Sequence, residues 1–327
     1  MKKIIGIIGG GPAGMSCALW LKHLGFQPII FEQNAQLGGL QTINPFYNKW
    51  YLGVMGQTGM ALAQQFQRHM EIESIPRLFN VSMQKIISVD GERWFHLFTA
   101  DHDVVVDGLV IATGQRFRGP EAIASISDRQ LLNASAQVDF NPGYIPQTHG
   151  KVVAVIGGGD NGLGTAQMLA ATAKHVYLFI RSEMQGFGIN QQAIANAVQS
   201  GQITLHQPTS IQRFEQTDQG IAIHFSQTGT PATDTPAKQI LVVDYIAFRL
   251  GFAPNVEAIA SCLTTTGLTL KCLPSGHIDT DEFMRTSIPK IYAIGDVTKP
   301  RDPCVATAVA HGAIAARSID EDFKMLD

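Results

Sequence analysis

Ile4-Ile5-Gly6-Ile7-Ile8-Gly9-Gly10-Gly11-Pro12-Ala13-Gly14-Met15 stands at the head of the chain, and a close counterpart, Val152-Val153-Ala154-Val155-Ile156-Gly157-Gly158-Gly159-Asp160-Asn161-Gly162-Leu163, stands at its middle. Each is a β-branched apolar run, then Gly-x-Gly-x-x-Gly, then a helix-like stretch, expected over residues 13–24 and 161–173. A buried strand that turns at once into a helix needs these glycines. Gly9 and Gly157 make the turn, Gly11 and Gly159 let the backbone approach a diphosphate, and Gly14 and Gly162 let the helix pack close to the strand. The helix N-terminus then offers free N–H groups and the positive end of its dipole to the phosphates. Gly9 and Gly157 stand 148 positions apart, about one domain length, so this is a repeated nucleotide-binding unit and not a solenoid period.

The strand after each motif separates the two units. In the first it reads Pro28-Ile29-Ile30-Phe31-Glu32, and Glu32 lies 18 residues past Gly14. An acid there suits a free ribose hydroxyl. In the second it reads His175-Val176-Tyr177-Leu178-Phe179-Ile180-Arg181, with Arg181 19 residues past Gly162 and taken as the equivalent position. An Arg there pairs with a 2′-phosphate. The first unit is therefore expected to hold a dinucleotide with an unmodified ribose, such as FAD, and the second to favour NADPH.

The composition agrees with a globular two-domain protein. The chain has 327 residues, 45% hydrophobic and 16% charged, and its 32 glycines carry no period of three. A net charge of −3 without a basic stripe argues against a nucleic-acid partner. Cys17, Cys262, Cys272 and Cys304 form neither a C-x-x-C nor a zinc-ligand spacing, so no metal is expected. Gly9 to Gly11 interrupt the apolar start, and no run approaches 18 apolar residues, so neither a signal peptide nor a membrane span is expected and the protein is placed in the cytoplasm.

Several further segments, in this order and spacing, resemble the thioredoxin reductase-like branch of the pyridine nucleotide-disulfide oxidoreductases. They are Leu37-Gly38-Gly39-Leu40-Gln41, Val110-Ile111-Ala112-Thr113-Gly114, Gly251-Phe252-Ala253-Pro254-Asn255 and Thr286 through Gly295-Asp296-Val297. The resemblance covers residue 4 to about 317. It implies an α/β chain of two three-layer Rossmann-like dinucleotide-binding domains, the second inserted into the first: an FAD domain of residues 1–116 and 246–327 and an NAD(P) domain of residues 117–245. It assigns Gly9, Gly11, Pro12, Ala13, Gly14, Glu32, Gln33, Gly39, Gln41, Thr113, Gly114, Gly295, Asp296, Val305 and Ala306 to FAD. Gly157, Gly159, Asn161, Gly162, Arg181 and Gly251 go to NAD(P)H, with NADH also open because the family's further arginines are missing after Arg181. It also implies a homodimer. Inside the inserted domain, the polar residues 227–236 read as a hairpin loop between strands at residues 221–225 and 240–243.

One departure bears on the reaction. A thioredoxin reductase carries a C-x-x-C just before the second glycine motif, and residues 131–140 here contain no cysteine. That dithiol takes two electrons from the flavin and exchanges with a disulfide. Its loss points to the ferredoxin/flavodoxin–NADP reductases built on the same scaffold, with a small redox protein (ferredoxin, flavodoxin or a thioredoxin-like carrier) as acceptor. Two alternatives stay open. One is a disulfide reductase using Cys304 or the Cys262/Cys272 pair, which flank an expected turn. The other is a flavoprotein with a vestigial nicotinamide site. Hydride transfer between cofactors needs no side-chain acid or base, so no catalytic dyad is expected. Cys304 is the one candidate catalytic residue, and His311 is the one histidine to test as a proton shuttle. Cys17 is expected in helix packing and Phe323 against its own domain.

Overall fold

The computed structural model describes residues 2–89, 94–123, 125–126, 136–143, 148–227, 237–265 and 267–325. It divides into two units, residues 1–116 with 253–327, and residues 117–252.

The first unit is built on a five-stranded parallel sheet. Its strands are β1 (Ile4–Ile8), β2 (Gln27–Phe31), β3 (Arg77–Leu78), β7 (Gly108–Ile111) and β18 (Ile291–Ala293), in the order β18-β7-β1-β2-β3. Ile5, Ile7, Val110 and Ile291 are almost fully buried, the mark of strands covered on both faces. One face carries α1 (Pro12–His23), α2 (Gly59–Ile72) and α6 (Val305–Lys324). The other carries the antiparallel strands β4 (Lys85–Val89), β5 (Trp94–Phe98) and β6 (Asp103–Val106), together with α5 (Glu257–Thr264). Phe323 is buried and meets Phe26 edge-on at 5.9 Å, within its own unit. Cys17 has no exposed surface and packs in α1.

The second unit repeats this plan. Its parallel sheet has the order β12-β11-β10-β16-β9, from β9 (Val138–Asp139), β10 (Val152–Ile156), β11 (His175–Phe179), β12 (Ile203–His206) and β16 (Tyr245–Phe248). The helices α3 (Asp160–Ala170) and α4 (Gly188–Gln199) cover one face. The antiparallel strands β13 (Thr209–Thr217), β14 (Gly220–Gln227) and β15 (Ala237–Val243) cover the other. The expected strand pair at residues 221–225 and 240–243 is therefore β14 and β15, paired antiparallel; residues 228–236 of the loop between them lie outside the described residues.

The repeat extends to single hydrogen bonds. The Ile4 N–H donates to the Asp107 carboxylate at 2.7 Å while Asp107 donates its own N–H to the Ile4 carbonyl at 2.8 Å. Val152 and Asp244 do the same at 2.7 and 2.8 Å. The two crossing strands, β8 (Gln115–Phe117) and β17 (Phe252–Pro254), pair with each other. The second unit runs to Phe252 and not to residue 245, because Tyr245–Phe248 is an inner strand of its sheet, paired to both β10 and β9. The second helix also ends earlier than expected, at Ala170. Among the described residues, no helix is long and apolar enough to cross a membrane.

Candidate functional site: two dinucleotide cradles

In the first cradle the chain leaves β1 with Gly9 at φ +109°, and a Cβ there would lie 2.3 Å from the Ala112 carbonyl oxygen. A Cβ on Gly14 would lie 2.1 Å from the Gly9 carbonyl oxygen. Only glycine fits either place. Gly11 caps α1 in extended conformation with no side chain on the helix end and open space beside it, and Pro12 fills the first helical position. The α1 N-terminus, with Ala13 buried behind it, thus keeps backbone donors free for an anion. Gly39 approaches the same turn, its Cβ position 3.2 Å from the Gly11 Cα.

Glu32 is 4% exposed and its carboxylate braces the turn. Oε2 accepts the Gly10 N–H at 2.8 Å, and Oε1 accepts the Asn34 N–H at 2.8 Å and its side-chain amide at 2.7 Å. A carboxylate accepts about four hydrogen bonds, so an acceptor site remains for a ribose hydroxyl. Gln33 beside it is exposed. Gln41, half-buried, accepts the side-chain amides of Asn44 and Asn48 at 3.2 and 3.3 Å.

The other wall comes from both ends of the unit. The Thr113 hydroxyl donates to the Asn255 carbonyl at 2.7 Å, and the Asn255 amide returns a bond to the Thr113 carbonyl at 3.0 Å. This seats Gly114, which has open space around it. Gly295 lies against Ala13, its Cβ position 2.9 Å from the Ala13 Cβ. Asp296 Oδ2 accepts the Gln115 amide at 3.0 Å, while its Oδ1 is buried with no hydrogen-bond partner. Burial pushes this carboxyl up to about 6. An orphaned buried acceptor beside an open glycine turn and a free helix N-terminus fits a diphosphate ligand that also brings hydroxyl donors, as FAD does. Val305, buried, and Ala306, half-buried, open α6 behind Asp296. Asn255 and Gln115 were absent from the expected set; Asn255 was legible in the Gly-x-x-Pro-Asn turn.

Cys304 is the N-cap of α6, and its Sγ lies 3.3 Å from the Thr307 hydroxyl. His311 Nδ1 accepts the Gly295 N–H at 3.3 Å, which places the proton of the neutral ring on Nε2, and burial lowers its pKa. The ring ties α6 to the Gly295 turn. Cys262 and Cys272 flank a turn, in which the Gly267 N–H donates to the Thr264 carbonyl at 3.0 Å, but stand in different settings: Cys262 is buried on α5 with its thiol on the Met83 carbonyl, and exposed Cys272 pairs with Ile278 in an isolated bridge. Burial raises both thiols, with Asp279 adding to Cys272. All four cysteines are free.

The second cradle reproduces the first. Gly157 stands at φ +144° with its Cβ position 2.1 Å from the Arg249 carbonyl oxygen, and the Gly162 Cβ position lies 2.1 Å from the Gly157 carbonyl oxygen. Gly159 caps α3 without a side-chain cap and in open space, and Gly251 (φ +85°) is equally open. These residues fit a second diphosphate. Asp160, in the first turn of α3, is turned aside: its Oδ1 accepts the Phe187 N–H and the Asn190 amide, each at 2.8 Å. Asn161 is half-buried.

Strand β2 pairs Ile8 with Phe31 and β11 pairs Ile156 with Phe179, so the counterpart of Glu32 is Ile180, not Arg181. Ile180 is 2% exposed and packs its Cγ2 2.8 Å from the Gly158 Cβ position, where the first cradle has the Glu32 carboxylate. Arg181 corresponds to Gln33 and is exposed. Among the described residues, no metal-binding cluster occurs.

Two matched cradles, one braced by a carboxylate and one with a cation at its lip, define an oxidoreductase that joins a flavin dinucleotide to a nicotinamide dinucleotide. The family model for pyridine nucleotide-disulphide oxidoreductases matches residues 3–312, and the chain belongs to that family: it is an FAD-dependent oxidoreductase acting on NAD(P)H. It is 27% identical over 323 residues to a ferredoxin–NADP reductase of Limosilactobacillus fermentum, covering 97% of this chain and 93% of that one. It is 26% identical over 314 residues to a thioredoxin reductase of Coxiella burnetii, covering 95% and 93%. Its fold matches Lactococcus lactis thioredoxin reductase with a TM-score of 0.82 at 24% identity over 99% of both chains.

Proposed function

We propose that the first unit holds FAD, the second NADPH, and that the electrons pass to a small one- or two-electron protein carrier of the ferredoxin or flavodoxin kind. The observation that carries this reading is the lack of cysteine in residues 131–140, between two complete cradles. Residues 131–135 of that stretch lie outside the described residues. A bound flavin would supply the hydride-accepting and electron-releasing chemistry between nicotinamide and carrier. The chain's own residues do the holding. The Gly9–Gly14 turn and the α1 N-terminus bind one diphosphate, Glu32 and Asp296 accept hydrogen bonds from ligand hydroxyls, and His311 fixes the Gly295 turn that carries Asp296. In the second unit the Gly157–Gly162 turn binds the other diphosphate, and exposed Arg181 is free to meet a 2′-phosphate, which favours NADPH over NADH.

A disulfide substrate is disfavoured by the cysteines. The Cys262 thiol is engaged with a carbonyl, and burial raises it further from the reactive thiolate. Four free thiols also suit the reducing cytoplasm. A homodimer is supported by the open apolar groove of Trp20, Phe283 and Ile314 in the first unit, an exposed apolar patch of the kind a second copy covers, rimmed by Arg317 and Glu321, which pair with each other at 3.9 Å within the chain. The test is anaerobic stopped-flow on the flavin-loaded protein. NADPH should bleach the flavin faster than NADH does, and ferredoxin or flavodoxin should restore its colour where a disulfide does not. A flavin that neither nucleotide bleaches, or one that a disulfide reoxidises in wild type but not in a Cys304→Ser variant, would sink the reading.

A further inference from the structure

Arg249 is a cation with 1% of its side chain exposed, in the wall of a cradle whose backbone geometry does not require it. The counterpart in the first unit is Ala112. The Ala112 N–H donates to the Ile8 carbonyl at 2.8 Å and its own carbonyl faces Gly9; the Arg249 N–H donates to the Ile156 carbonyl at 2.8 Å and its carbonyl faces Gly157. A methyl group serves in one case and a guanidinium in the other.

The guanidinium reaches three elements. Nη1 donates to Asp139 Oδ1 on β9 at 2.5 Å and to the Phe248 carbonyl on β16 at 2.7 Å. Nε donates to the Thr165 hydroxyl on α3 at 2.9 Å. The Tyr245 hydroxyl donates to Asp139 Oδ2 at 2.7 Å, and the Asn141 N–H donates to Asp139 Oδ1 at 3.1 Å. Thr165 is the counterpart of Cys17, so an apolar pair in the first unit, Ala112 and Cys17, is replaced by a polar one. Burial pushes the Asp139 carboxyl up while Arg249 pulls it back.

Burying an ion pair adds little or nothing to stability over well-packed apolar groups, and the first unit does without one. What the pair supplies is direction. Hydrogen bonds of fixed geometry set the spacing of the glycine turn, the helix that springs from it and the strand beyond, whereas apolar contacts allow sliding. Gly251, open to the cradle, follows two residues later.

We propose that the Arg249–Asp139 pair is a positioning device for the second cradle, holding the Gly157 turn, the N-terminus of α3 and the Gly251 turn at the spacing that grips the diphosphate of a nicotinamide dinucleotide. It rests on the assignment of that cradle to NAD(P)H. Arg249 acts through the backbone and is not itself a catalytic residue.

The test uses the flavin-loaded full chain and calorimetric titration with NADPH. Two variants are compared: the apolar triple substitution Asp139→Leu/Tyr245→Phe/Arg249→Met, and the single Thr165→Val. In the triple variant, flavin content and melting temperature should hold while the NADPH Kd and KM rise about tenfold or more and kcat stays within about twofold. Thr165→Val should raise Kd about threefold, and backbone amides of the Gly157 turn should exchange faster in both. A triple variant that melts like wild type and binds NADPH as tightly overturns the proposal. Where the triple variant does not fold, an unchanged Kd in Thr165→Val does so. Wild-type protein that binds neither NADPH nor NADH overturns the site assignment itself, and the variants separate that outcome from failure of the pair.

Discussion

Gly10 and Gly158 occupy the same place in the two cradles and have different neighbours. The Gly10 N–H is held by the Glu32 carboxylate, and Gly158 is covered by the apolar Ile180. Around them the backbone is the same: Gly38 donates to the Gly10 carbonyl at 2.8 Å, and Gln185 donates to the Gly158 carbonyl at 2.8 Å. The wall behind is apolar in the first, where α6 packs against α1, and ionic in the second, where β9 brings Asp139 to Arg249. The diphosphate cradle is thus a backbone device that a sheet order and a few glycines specify. What distinguishes the two ligands lies in a handful of side chains around it.

The sharpest way to break this comparison is to add one methyl group to each turn. Gly9→Ala and Gly157→Ala each force a Cβ onto a backbone carbonyl at positive φ. We expect Gly9→Ala to lose FAD, and Gly157→Ala to retain its flavin spectrum while NADPH affinity falls by about 100-fold or more. Flavin loss in Gly157→Ala would show that the cradles are not independent.

A second difference concerns protons. Asp296 has its carboxyl raised to about 6, above its ordinary value of 3.8, so the folded apoprotein binds that proton more tightly than the unfolded chain. The stability it contributes is present below about pH 4 and is lost as pH rises towards 6. Above that, the unpaired charge costs at most about 3 kcal/mol. Asp296→Asn should therefore raise the melting temperature of the apoprotein by a few degrees at pH 7.5 and not at pH 4, while weakening FAD retention. Equal melting curves at both pH values would show that Oδ1 bears no buried charge.

The smallest effect is expected at the lip of the second cradle. Arg181→Ala should raise the KM for NADPH about tenfold, leave that for NADH within about twofold, and leave the melting temperature unchanged. Parallel losses for both nucleotides would remove Arg181 from phosphate recognition.

How far these sites could be read from residues alone depends on how local their signals are. The two strand–turn–helix units were legible because Gly9 to Gly14 and Gly157 to Gly162 compress the whole requirement into six residues. The counterpart of Glu32 is not legible, because a charge at the strand end carries no register, whereas pairing of Ile156 with Phe179 sets the position at Ile180. The return crossing is not legible either, because the apolar strand Tyr245–Phe248 carries no mark of which sheet it joins. The Arg249–Asp139 pair spans 110 positions and has no local signature at all. Asp296 was legible only by resemblance, since an orphaned oxygen is a property of its surroundings.

The first sheet takes β1, β2, β3 and β7 from before the inserted unit but β18 from after it, and His311 ties the still later α6 to the Gly295 turn. On the ribosome, residues 117–252 emerge as one continuous stretch while the first sheet still lacks an edge strand and its covering helix. The cradle that stands second in the sequence is therefore the earlier to be finished in synthesis. The first cradle can be completed only once α6 has been made.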